Sequence, residues 1–111
     1  GACTVLVNGR PVDSCIYATA AVDGLAVTTV EGLGGLDGSL TPLQQSFVDH
    51  FAIQCGFCSP GLLLTLSALL DANPNPDRKE IENAISGNLC RCTGYTQIVE
   101  AVEAVSQEER S

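Results

Sequence analysis

Gln54-Cys55-Gly56-Phe57-Cys58-Ser59-Pro60-Gly61, followed later by Asn88-Leu89-Cys90-Arg91-Cys92-Thr93-Gly94-Tyr95, decides how the rest of the chain is read. Each stretch presents two thiols at short spacing, and each runs straight into a helix-start signal. Proline suits the first position of a helix because its φ is already set. A helix N-terminus carries partial positive charge, which favours thiol ionisation and any net-negative group bound there. Two thiol pairs offered from two similar turns are what a tetrathiolate metal site needs. The spacing alone accommodates zinc or iron with sulfide, since both accept four thiolates at near-tetrahedral centres.

Working outward, the flanking residues predict four helices. Thr41 caps the first, with Pro42 at its first position. Leu43, Phe47 and Phe51 then share one face, with Val48 beside it. After Cys58 the run 62–70 is apolar nearly all round, which marks a central, buried helix. Pro74 and Pro76 end it, and Asp77 with Glu80 forms a capping box for the third. Ile81, Ala84 and Ile85 give that helix its apolar face, and Gly87 supplies a stop. The fourth begins near 93–95 and buries Ile98, Val102 and Val105, with a polar, fraying tail from Ser106. Residues 41–72 and 77–106 thus form two helix–turn–helix halves, each carrying a thiol pair at its junction.

The N-terminal third reads differently. Thr4 to Val7 is a short apolar run, then come Asn8-Gly9 and Arg10-Pro11-Val12. Asn-Gly between two such runs is a strong hairpin signal, because a type I′ turn needs two positive φ values. Residues 14–22 hold one or two Ala-rich helical turns, and 25–30 reads as a further strand. Residues 31–40 are glycine-rich. A dinucleotide fingerprint started at Gly32 meets Asp37 at its third glycine position, and no βαβ unit surrounds it. The stretch reads as a linker.

Composition narrows the function classes. The 111 residues are 45% hydrophobic, with three Phe, two Tyr, no Trp and no Met, so one small aliphatic core is expected. A core of this size commonly relies on metal ligation or partners for stability. The net charge of −8 argues against non-specific nucleic-acid binding. No apolar run reaches transmembrane length, and the start lacks the features of a signal peptide. The expected location is the cytoplasm, or the periplasm if the chain is exported with a partner. Six cysteines in a secreted domain would suggest three disulfides, but their clustering and the lack of a glycosylation sequon speak against that.

The two quoted stretches closely resemble the second iron–sulfur motif of the molybdenum hydroxylase family, which includes xanthine dehydrogenase and aldehyde oxidoreductase. The resemblance implies that Cys55, Cys58, Cys90 and Cys92 hold a complete [2Fe-2S] cluster within a four-helix bundle. Further upstream, Gly1-Ala2-Cys3-Thr4-Val5 and Ser14-Cys15 resemble the end of the plant-type ferredoxin motif. Cys3 and Cys15 would then be half of a second [2Fe-2S] site whose first two ligands precede Gly1. The implied class is α+β. Residues 1–30 are the C-terminal part of a ferredoxin-like β-grasp domain, 31–40 the linker, 41–106 the four-helix cluster domain and 107–111 a polar tail. Its implied function is electron relay from molybdopterin on a large partner subunit toward FAD, on a medium subunit, or another acceptor. No substrate chemistry falls to the chain itself. The alternative from another class is a structural zinc-binding interaction module.

The resemblance also marks Gln54 and Cys92 as lying near the molybdopterin. Gly56 joins them on the cofactor side, where a tight Cys-x-x-Cys turn favours a residue without Cβ. A plainer reading of Gln54 is a turn-stabilising amide. Arg91 serves equally as an exposed turn residue or a donor to cluster sulfur. His50 belongs on a helix surface or interface, since four thiols already complete the nearby site. Phe57 and Tyr95 are expected to pack over the cluster and exclude water.

Overall fold

The computed structural model describes residues 2–34, 38–90 and 94–110, with 107–110 described for their backbone only. The class is α+β. Strand β1 (Thr4–Val7) turns back through Asn8 and Gly9 into β2 (Arg10–Asp13). Both turn residues are left-handed, at φ 50 and 82, as a type I′ hairpin demands. A two-residue strand, β3 (Val27–Thr28), adds antiparallel to the other side of β1, giving the order β2-β1-β3. The strand expected over 25–30 is therefore shorter. Val27 and Thr28 pair with Val7 and Leu6, Ala26 bonds Asn8 at the turn, and Val30 already enters a 3-10 turn that runs to Gly32. Two further 3-10 turns, Ser14–Ile16 and Thr19–Val22, occupy the stretch expected to be helical.

Four α-helices follow: α1 (Pro42–Asp49), α2 (Ser59–Ala72), α3 (Arg78–Ala84) and α4 (Thr96–Arg110). Thr41 and Asp77 each cap a helix through a full capping box, with Gln44 and Glu80 as the reciprocal partners. Phe47, Leu62, Leu66, Ile81, Ile98 and Val102 are fully enclosed in one core shared by all four helices. Each such side chain contributes about 2 kcal/mol of apolar burial. Val30 and Leu33, in and just after the 3-10 turn that follows β3, pack on this core. Helix α2 is central: it touches β1 and β2 on one side and α1 and α3 on the other.

Two expectations for helix ends are corrected. Phe51 does not continue the face of Leu43 and Phe47, and lies exposed. The helix stops at Asp49, Phe51 turns left-handed at φ 57, and the Ala52 N–H bonds back to the Phe47 carbonyl at 2.9 Å. This is a Schellman closure with phenylalanine where glycine is usual, and Ala52 takes the buried place instead. At the other end of the chain, α4 continues past Ser106, which is buried rather than frayed.

Candidate metal centre

Three of the four thiols expected at the helix junctions are described. Cys58 ends the turn before α2 and serves as its N-cap residue, with the Leu62 N–H reaching its carbonyl at 3.1 Å. Cys90 is buried in the core cluster, and Cys58, partly buried, packs against that same cluster. Cys55 lies exposed on the same turn as Cys58. Gly56 between them sits at φ 84, so the absent Cβ answers a backbone requirement rather than a crowded contact. Cys92, the fourth expected ligand, lies outside the described residues, as does Arg91. Among the described residues, no three His, Cys, Asp or Glu side chains are gathered as a metal site. The structure brings Cys58 to Cys90 and leaves Cys55 at the rim.

The Cys58 thiol is pushed up to about 12, chiefly by burial and then by its bond to Cys90, with repulsion from ionised Cys90 and Cys55 adding to it. A thiol so placed ionises readily only when a cation takes the proton's place. Ser59 follows it directly, its hydroxyl buried with no hydrogen-bond partner. Soft sulfur donors around a buried, unused O–H fit a group that carries both metal and acceptor atoms.

The second thiol pair is also assembled. The sulfurs of Cys3 and Cys15 lie 3.3 Å apart just beyond the Thr4–Asp13 end of the β1–β2 pairing. The Cys15 backbone N–H and then its thiol draw the Cys3 thiol down, whereas contact with Cys3 pushes Cys15 up. Among the described residues, no cysteine forms a disulfide.

Two polar connections were not legible as site features. The Cys90 N–H donates to the Tyr95 hydroxyl at 2.8 Å, tying Cys90 to the residue that precedes α4. Asn88 joins Thr4 on the sheet and Thr65 on α2, all three buried. Motif identity singled out both residues, but nothing in the sequence gave their partners. Gln54 is exposed beside Cys55. Phe57 is 78% exposed and turned away from the core, whereas Tyr95 packs against it. The His50 ring stays on α1, its Nδ1 3.0 Å from the Ser46 carbonyl oxygen.

Residues 29–103 match the model of a [2Fe-2S] binding domain family. The chain is 54% identical over 102 residues to the nicotine 6-hydroxylase small subunit of Paenarthrobacter nicotinovorans, covering 92% of this chain and 61% of that one. It is 51% identical over 102 residues to the nicotinate dehydrogenase small FeS subunit of Eubacterium barkeri, covering 92% and 64%. The chain thus spans less than two thirds of these relatives. Among solved structures, quinoline 2-oxidoreductase from Pseudomonas putida 86 superposes with a TM-score of 0.89 at 44% identity, over 97% of this chain and 67% of that one. The zinc alternative gains no support from any of these matches.

Proposed function

This chain belongs to the [2Fe-2S] binding domain family of molybdenum hydroxylase iron–sulfur subunits, and from that premise we propose that it relays electrons inside such a complex. The single observation that carries the proposal is the Cys58–Cys90 thiol pair, held at the N-terminus of α2 beside an unpartnered hydroxyl. Cys55, Cys58, Cys90 and Cys92 would hold the complete centre, and Cys3 and Cys15 would contribute half of a second. The bound group would supply reversible one-electron acceptance.

The chain's own residues do the rest. The apolar core beneath Cys90 keeps water from the inner side of the site. The N-terminal amides of α2 present positive partial charge to the thiolates, and the Ser59 hydroxyl is free to donate. Outside, Phe57 and Leu89 stand 78% and 82% exposed next to ligand cysteines, and Gln54 lies exposed beside Cys55. Large apolar side chains left bare around a redox site suit a partner's docking face. We place the molybdopterin subunit there, with Gln54 and Cys92 toward its cofactor. Electrons then pass toward Cys3 and Cys15, and on to FAD or another acceptor on a further subunit. In this reading the sheet is the end of a ferredoxin-like domain and 41–106 is the four-helix cluster domain. Among the described residues no helix is long and apolar enough to cross a membrane.

Rapid mixing of the complex with its reducing substrate tests the relay. The visible absorption of the cluster bleaches during the first turnover if electrons pass through this chain. Substrate oxidation with an unchanging cluster spectrum would remove the chain from the electron path.

A further inference from the structure

The two thiol pairs lie on different parts of the fold, and the contact between those parts is specific. Thr4, next to Cys3, points its hydroxyl at the Asn88 side-chain oxygen 3.5 Å away. Asn88, two residues before Cys90, donates from its amide nitrogen to the Thr65 hydroxyl of α2 at 3.2 Å. All three are 7% exposed, and together they line an open cavity between the sheet and α2. The Asn88 backbone is fixed as well, its N–H bonding the Ile85 carbonyl at 2.9 Å. On the sheet side, Ser14 bonds the Cys3 carbonyl through both its hydroxyl, at 2.8 Å, and its backbone N–H, at 3.3 Å. Ser14 immediately precedes Cys15, so the segment holding both N-terminal cysteines is tied to the strand that carries Thr4.

We propose that Asn88 is the positioning residue that sets the Cys3–Cys15 centre at a fixed separation from the Cys58–Cys90 centre. Asn88 has partners on two elements, so a shift of the sheet on α2 costs its amide one of them. Apolar packing of Leu6 and Val7 holds the sheet against the helices, and the amide adds directional contacts that fix its register on α2. Electron transfer between centres falls steeply with distance, so the linkage fixes the rate of the internal step without touching the centres. The side-chain chain from Thr4 to Asn88 is also the direct bonded connection between the two ligand-bearing segments. The inference rests on the proposed reading that both thiol pairs carry iron–sulfur groups.

The test uses the complex purified with its partner subunits, comparing wild type with Asn88→Ala and Thr4→Val. Each preparation is assayed for iron and sulfide, then fully reduced and read by electron paramagnetic resonance. Magnetic interaction between two reduced centres depends on the inverse cube of their separation. Wild type should show two cluster signals split by mutual interaction. Both variants should keep their iron and both signals, but with reduced or smeared splitting and an internal electron-transfer rate several-fold lower. Thr4→Val preserves shape and serves where Asn88→Ala does not fold. Variants with both centres loaded and with wild-type splitting and rate overturn the inference while leaving the relay reading intact. A wild-type complex lacking one or both centres on this chain overturns both.

Discussion

The backbone N–H of Cys90 donates to the hydroxyl of Tyr95 across 2.8 Å, and Tyr95 holds a left-handed conformation at φ 73 to make that reach. A non-glycine residue in this region costs about 1–2 kcal/mol, so the bond offsets a local strain. The hydroxyl thus closes the ends of the segment 90–95 on each other immediately before α4. Tyr95→Phe should lower stability by about 1 kcal/mol, the usual worth of one buried hydrogen bond. It should also speed loss of visible absorbance to an iron chelator. Urea unfolding and the chelation time course check both.

Cys58 and Cys55 should behave differently toward an alkylating agent in the metal-free protein. Cys58 is pushed up to about 12 and half-buried, whereas Cys55 is exposed. At pH 8, iodoacetamide should modify Cys55 well before Cys58, as mass spectrometry of timed samples would show. The raised folded value also fixes the sign of a pH effect. Between the unfolded thiol value of 9.0 and about 12 the unfolded chain ionises Cys58 more readily than the folded one. Stability of the metal-free protein should fall as pH rises through that window. Cys58→Ser should remove that contribution from the fall.

Phe51→Gly should stabilise the fold. Phe51 is 78% exposed and left-handed at φ 57, in the position of a Schellman closure that glycine fills without strain. Little apolar burial is lost, and about 1 kcal/mol of backbone strain is released. A higher urea midpoint at unchanged slope is the expected outcome; a lower one means that the exposed ring is held by contacts worth more than the strain.

Phe57→Ser should leave folding nearly unchanged and weaken assembly. The ring is 78% exposed, so its loss removes little from the core. At an interface an aromatic anchor commonly accounts for about 2 kcal/mol or more of binding. Size-exclusion chromatography should show the variant dissociating from the partner subunit proposed to dock there, at concentrations where wild type stays bound. Equal retention would move the docking face elsewhere.

How much of this was legible follows from how local each signal is. The Asn8-Gly9 hairpin and the caps at Thr41 and Asp77 are written within four residues, and all three appear where expected. The apolar positions Phe47, Ile81, Ile98 and Val102 follow helical spacing and are buried. Phe51 has the right spacing but the wrong backbone, because periodicity assumes that the helix continues. The residues around the paired thiols identified the family, and the [2Fe-2S] binding domain model matches over residues 29–103, whereas the metal site itself belongs to the proposal. The bonds from Asn88 were not, since Thr4 lies 84 residues away and only the packing of the sheet on α2 brings it near. Tyr95 likewise suggested packing, and its use as a hydrogen-bond acceptor depends on a left-handed turn.

The most direct test of the central claim is a count of iron and acid-labile sulfide in the protein isolated without air, together with its visible spectrum. The account predicts iron and sulfide in equal amounts, a red-brown colour that bleaches with dithionite, and loss of both elements from the helical-domain site in Cys58→Ser. A colourless protein holding zinc without sulfide, or one whose Cys58 and Cys90 are joined as a disulfide, would contradict it.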